Sequence, residues 1–151
     1  MSPLALLVLL IAAALLYDFV NGFHDSANIV ATMIASQAMS VRGALLLAAA
    51  GSLAGPFVFG VAVAHTIGAE VLSAKAITIA VALAALTAAT VWNLATWFFG
   101  IPVSSSHALV GGLLGAGWSH GGVSAILGSG LGKVATALVL LVGHDTRPLI
   151  V

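Results

Sequence analysis

Two polar stretches interrupt an otherwise apolar chain. The first is Tyr17-Asp18-Phe19-Val20-Asn21-Gly22-Phe23-His24-Asp25-Ser26-Ala27-Asn28, which sets two carboxylates between long apolar runs. A charge at membrane depth costs at least roughly 2.5–3.5 kcal/mol, so such residues are functional candidates by default. Asp18, Asn21, Asp25 and Asn28 stand at i, i+3, i+7 and i+10. At about 100° per residue they fall within an arc of about 80°. On a continuous helix all four line one stripe. If Gly22 breaks the helix, two half-helices meet there at unwound backbone. Either arrangement gathers the carboxylate and amide oxygens that hard cations such as Na⁺ take, and half-helix ends with free carbonyls add more. A third reading is an aqueous loop whose polar residues are merely solvated. His24 adjoins Asp25 but lies on a different helical face, which suits a hydrogen-bonding residue better than a ligand. No second His stands at helical metal-ligand spacing, which argues against zinc.

The second stretch is Trp92-Asn93-Leu94-Ala95-Thr96-Trp97-Phe98-Phe99-Gly100-Ile101-Pro102-Val103-Ser104-Ser105-Ser106-His107. Gly100 and Pro102 end one helix, and Ser104 to Ser106 are good N-cap residues for the next. A helix N-terminus offers unpaired N–H groups and a positive dipole end, so it binds phosphate-like anions without a charged side chain. The serine hydroxyls there can donate to anion oxygens or coordinate Na⁺. Plain capping with a Pro kink explains the same residues without a ligand. A serine nucleophile with His107 as base is disfavoured, because adjacency in sequence does not place Oγ on the imidazole and no G-x-S-x-G elbow is present.

The elements that position these groups follow from composition. Of 151 residues, 62% are hydrophobic and 5% charged, against roughly 45–50% and about 25% in soluble domains. Eight formal charges cannot solvate a soluble globule, so lipid is the solvent. Four Lys+Arg balance four Asp+Glu, which leaves no basic footprint for nucleic acid. There is no cysteine, hence no disulfide and no thiolate chemistry. Met1 to Tyr17 has no basic n-region and is read as a retained membrane helix, not a signal peptide. A span needs about 20 apolar residues, so about five or six passes fit. The breaks predict helices over Pro3–Asn21, Asp25–Met39, Arg42–Gly68, Ala76–Phe99, Ser104–Trp118 and Val123–Val142, the last interrupted by Lys133. Glu70 and Lys75 mark an aqueous loop. Strands are excluded because stretches such as Ile77–Leu86 are apolar on every face. The pairs Gly51/Gly55, Gly111/Gly115 and Gly128/Gly132 have the spacing that lets membrane helices approach closely.

Taken together, the two polar stretches resemble the PiT family of inorganic phosphate transporters. The matching text is Asp18 to Asn28 followed by Ile29-Val30-Ala31-Thr32, and Asn93 to His107 followed by Ala108-Leu109-Val110-Gly111-Gly112. The resemblance extends over about residues 14–140. It implies an all-α, polytopic membrane protein of the cell membrane, with a broken helix and a re-entrant Pro-Ser-Ser hairpin, forming one half of an inverted-repeat transporter. It implies a cation-coupled carrier that takes phosphate with Na⁺ or H⁺; some relatives carry sulfate. Asp25 and Asn28 become core site residues with Asn21 close by, Ser104, Ser105 and Ser106 become hairpin-tip residues contacting phosphate and Na⁺, and Thr96 and Asn93 follow. The expected phosphate set is Asp25, Asn28, Thr96, Ser104, Ser105 and Ser106. The expected Na⁺ set is Asn21, Asp25, Asn28, Asn93 and Ser105. No cofactor beyond such an ion is implied.

Only one copy of each motif is present, and the segment 143–151 leaves the apolar pattern of the family, so residues 1–142 are read as one transporter repeat with a divergent or truncated tail. The chain is expected to be a fragment, or a half-unit that works as a homodimer or with a partner carrying the second repeat. Arg42, Lys75, Lys133 and Arg147 set orientation only weakly. The competing reading is a non-transporting membrane partner or regulatory half that packs through its glycine pairs.

Overall fold

A computed structural model describes residues 2–59 and 71–145, with side chains described except at 27, 28, 59 and 137–145. Among the described residues there is no strand. The helices are α1 (Pro3–Ala35), α2 (Val41–Phe59), α3 (Ile79–Phe98), α4 (Ser105–Gly121) and α5 (Gly128–Asp145), with a 3₁₀ turn at Val123–Ala125 between the last two.

α1 starts where Ser2 Oγ accepts a hydrogen bond from the Ala5 N–H at 3.2 Å, with Pro3 in the first turn. It then runs 33 residues without interruption, about 50 Å at 1.5 Å per residue. The expected break at Gly22 does not occur, and neither does the aqueous loop. A mid-helix glycine costs only about 1 kcal/mol relative to alanine, whereas opening the backbone ladder in lipid costs several. The polar stretch therefore lies on one continuous helix. α1 exceeds the roughly 30 Å hydrocarbon core, so it must tilt or project beyond it.

α3 begins at the Thr78 cap, whose Oγ1 accepts from the Val81 N–H at 3.2 Å. Its buried residues Val81, Ala85, Ala89, Thr90, Asn93 and Thr96 form one stripe of mostly small side chains. α3 ends in a Schellman turn. Gly100, at φ 67°, donates to the Trp97 carbonyl at 3.0 Å, and Ile101 donates to the Thr96 carbonyl at 2.9 Å. This satisfies terminal carbonyls before Pro102 forbids further helix. Ser104 then caps α4, so the break expected between these helices is present and its chemistry is backbone chemistry.

α3 and α4 pack as a hairpin whose open ends are tied together. Leu72 bridges Ile126 in antiparallel fashion, Leu127 N–H donates to Val71 O at 3.0 Å, and Ser73 N–H to Ala125 O at 2.8 Å. Val71, Leu72, Val81, Val110 and Val134 form the apolar core beside this tie. The closest helix crossing is at Gly112, where a Cβ would stand 2.7 Å from the Ala85 carbonyl oxygen. The expected glycine pairs do not make such crossings. At Gly51, Gly55, Gly111, Gly115, Gly128 and Gly132 a Cβ would meet nothing within 4 Å. Spacing alone does not say which helix face meets a neighbour; Gly112 and Gly117 do, and Gly111 and Gly115 face away.

Three helices are long and apolar enough to cross a membrane, Pro3–Ala35, Val41–Val58 and Ile79–Phe98, fewer among the described residues than the five or six expected. Their large side chains point outward, Phe57 being 85% and Phe98 77% exposed, as lipid-facing residues must be. The expected third helix to Gly68 lies in part outside the described residues. α5 starts later than expected and its helix continues through 143–145; the rest of the expected tail is outside the described residues.

Candidate functional site

The tip of the α3–α4 hairpin meets the middle of α1, and there the two polar stretches join. Ser105 Oγ donates to Asp25 Oδ2 at 2.9 Å. The phenol of Tyr17 donates to the Ser105 backbone carbonyl at 2.9 Å. His24 Nδ1 lies 3.2 Å from Asp25 Oδ1, where the tautomer with its proton on Nδ1 donates to the carboxyl oxygen. Asp25 thus accepts on both oxygens while its side chain stays 30% exposed. Phe23 and Trp97 meet edge to face, centroids 5.3 Å apart, and hold α1 against the end of α3.

Beside this network lie polar atoms without partners. Asn93 is fully buried, and neither its Oδ1 nor its Nδ2 has a hydrogen-bond partner; the buried Asn21 Oδ1 has none either. Leaving a buried amide unpaired costs about 1–3 kcal/mol, so these atoms fit a site that takes a ligand there. Thr96 is buried, with its hydroxyl proton committed to the Trp92 carbonyl at 2.9 Å and the Asn93 carbonyl at 3.1 Å. Its oxygen can still accept or coordinate.

The three serines part company. Ser105 is buried against α1, whereas Ser104 and Ser106 are exposed. Ser104 Oγ accepts from the backbone N–H of His107 at 3.5 Å, a contact with the backbone and not with the imidazole. The one-stripe expectation needs trimming: Asp18 is exposed, because it lies about 100° round α1 from buried Tyr17. Asn28 lies in α1, with its side chain outside those described. Sequence reasoning missed Tyr17. The signal was available, since Tyr17, Asn21, His24 and Asn28 share a face of a continuous helix at i, i+4, i+7 and i+11, and a buried phenol needs a partner.

A separate groove of about 1090 Å³ runs along the far side of α3 and α4, floored by Ala84, Ala88, Gly111 and Gly115 and flanked by Trp92 and His107. Neither Asp25 nor Ser105 lines it, although Ser104 at the α4 tip does.

The sequence pattern of the phosphate transporter family matches residues 21–143. The chain belongs to that family. Phosphate transporter family members are carriers and not enzymes, which removes the serine-hydrolase alternative, and the apolar helices make the chain a multi-pass cell-membrane protein. Among relatives, the chain is 46% identical over 138 residues to a probable low-affinity inorganic phosphate transporter of Rhizobium meliloti (strain 1021), covering 91% of this chain and 41% of that one. It is 42% identical over 139 residues to one of Bacillus subtilis (strain 168), with coverage of 91% and 41%. It is 40% identical over 121 residues to the low-affinity inorganic phosphate transporter PitA of Escherichia coli (strain K12), with coverage of 76% and 24%. The chain therefore spans about two-fifths or less of the length of these three relatives. No solved structure matches it.

Proposed function

We propose that the chain carries inorganic phosphate across the cell membrane together with Na⁺ or H⁺, as one repeat of a carrier completed by a second copy or by a partner bearing the other, inverted repeat. The observation that carries this reading is the Asp25–Ser105 bond. It brings an acid from one polar stretch onto the first turn of a helix from the other. Phosphate would be held by Asp25, Asn28, Thr96 and the α4 tip of Ser104, Ser105 and Ser106. Na⁺ would take oxygens from Asn21, Asp25, Asn28, Asn93 and Ser105, and the unpartnered amide oxygens of Asn21 and Asn93 support that assignment. The names of the relatives favour phosphate over sulfate. Chemistry agrees: Asp25 can accept from a P–OH group that sulfate lacks at neutral pH, leaving an unpaired acceptor when sulfate enters. The glycine-floored groove on α3 and α4 suits a further helix, as a re-entrant hairpin inside a larger bundle requires.

The test is phosphate binding and uptake by the chain in proteoliposomes, with and without Na⁺ and across pH, for wild type, Asp25→Asn and Ser105→Ala. Both variants are expected to weaken binding, and Asp25→Asn also to blunt its dependence on the co-ion. Unchanged kinetics in Asp25→Asn refute the site. A wild-type chain that binds no phosphate, yet crosslinks to a partner, indicates a packing or regulatory half instead.

A further inference from the structure

Ser105 is held at two points that behave differently. Its hydroxyl, bonded to Asp25, can be re-aimed by rotation about χ1 alone. Its carbonyl, bonded to Tyr17, cannot move unless the first turn of α4 moves with it. The tip has little else to hold it, for Gly100, Ile101, Pro102, Ser104, Ser106 and His107 are all exposed. Tyr17 itself is buried, 7% exposed, and lies outside the family match that begins at residue 21. A carbonyl has two lone pairs, so it takes the phenol as well as a helical N–H.

From this we infer that Tyr17 is a positioning residue for the anion site: its phenol anchors the Ser105 carbonyl, so the first turn of α4 keeps facing Asp25 while the Ser105 hydroxyl exchanges Asp25 for the cargo. The inference rests on the anion-site reading above. Without the anchor, the hydroxyl bond to Asp25 is the remaining hydrogen bond between the tip and α1 among the described residues, and cargo that takes that hydroxyl loosens the tip. The phenol does not touch cargo; it keeps the same partner in the empty and loaded states.

Tyr17 is the sole tyrosine of the chain, which makes the claim directly readable. The full chain in nanodiscs is titrated with inorganic phosphate, as wild type and as Tyr17→Phe, which keeps the ring and loses only the donor. Tyr17→Phe is expected to bind roughly twofold to twelvefold more weakly, on the scale of one net hydrogen bond, and its phosphate-free melting midpoint is expected to fall modestly, because the same bond is present in the empty chain. In wild type carrying ring-labelled tyrosine, the isotope-edited infrared band of the phenol is expected to show a donor to a carbonyl both without phosphate and at saturation. Equal affinity in Tyr17→Phe overturns the inference. So does a phenol band that changes partner on saturation, which would make Tyr17 a direct ligand or a released contact. Should Tyr17→Phe fail to fold, the infrared result on wild type decides alone. A wild type that binds no phosphate overturns the anion site and the role of Tyr17 together, whereas binding that is merely indifferent to the phenol overturns only the latter.

Discussion

Gly112→Ala should loosen the α3–α4 hairpin, while Gly111→Ala, one residue earlier, should not. A Cβ at Gly112 would lie 2.7 Å from the Ala85 carbonyl oxygen and 3.3 Å from its C and Cα. Ordinary contact begins near 3.4 Å, so about 0.7 Å must open between two helices. The obstacle is backbone, which no rotamer change relieves. Overpacking of this kind costs about 1–3 kcal/mol, and the separation also thins the dispersion contacts along the crossing. At Gly111 the same methyl meets nothing within 4 Å. Both variants gain about 1 kcal/mol of helix propensity, so the difference between them isolates the clash at about 1–3 kcal/mol. Reversible unfolding of the two variants side by side in mixed micelles measures it. Equal stabilities, or a Gly111→Ala variant that is the weaker, would show that the helices do not cross at Ala85 and Gly112.

Two further outcomes follow from buried and capping groups. Asn93→Ala removes two unpartnered polar atoms from a fully buried position; it should raise the stability of the unliganded chain by about 1 kcal/mol and abolish any Na⁺-induced rise in melting midpoint, both read from thermal unfolding with Na⁺ or choline. Thr78→Ala deletes the α3 cap bond of 3.2 Å and should cost about 1 kcal/mol, whereas Ser104→Ala deletes a cap bond of 3.5 Å and should cost less; a reversed order in the same unfolding assay would contradict the capping geometry.

The boundary between α3 and α4 was legible because Gly100, Pro102 and Ser104 act through their own backbone, and a local signal survives in one dimension. The membrane class was legible for the same reason, since composition needs no partner. The continuity of α1 was not, because Gly22 permits a break without requiring one, and the decision comes from the lipid around it. Nor could the sequence choose among Ser104, Ser105 and Ser106. Successive residues on a helix point about 100° apart, and which one turns inward depends on where α1 lies. Gly111 and Gly112 are the same problem on another face. Tyr17 finds its partner 88 residues away, a pairing that exists only once three helices have met. The meeting of Asp25 with Ser105 was legible, because both stretches strand polar groups in apolar sequence and each offers the other partners.

Under the carrier reading, that meeting also sets the energetics of anion binding. An anion seated within about 4 Å of an ionised Asp25 meets roughly 4 kcal/mol of repulsion at an effective dielectric constant near 20. The α4 N-terminus returns about 0.3–1 kcal/mol for an anion at its first turn, which does not offset the repulsion. A Na⁺ among the Asn21, Asn93 and Asp25 oxygens, or a proton on the Asp25 carboxyl, removes it. Under the carrier reading, then, the co-ion is a condition of binding and not an accessory to it. Replacing Na⁺ by choline at alkaline pH, where neither cation is supplied, should weaken phosphate binding by about three orders of magnitude. Restoring one of the two, Na⁺ or acidity, should recover most of the loss, and the one that does so names the coupling ion. In Asp25→Asn, where the repelling charge is gone, the same exchange should change affinity little. Phosphate that binds wild type equally well in all four media would mean that the anion does not sit beside Asp25.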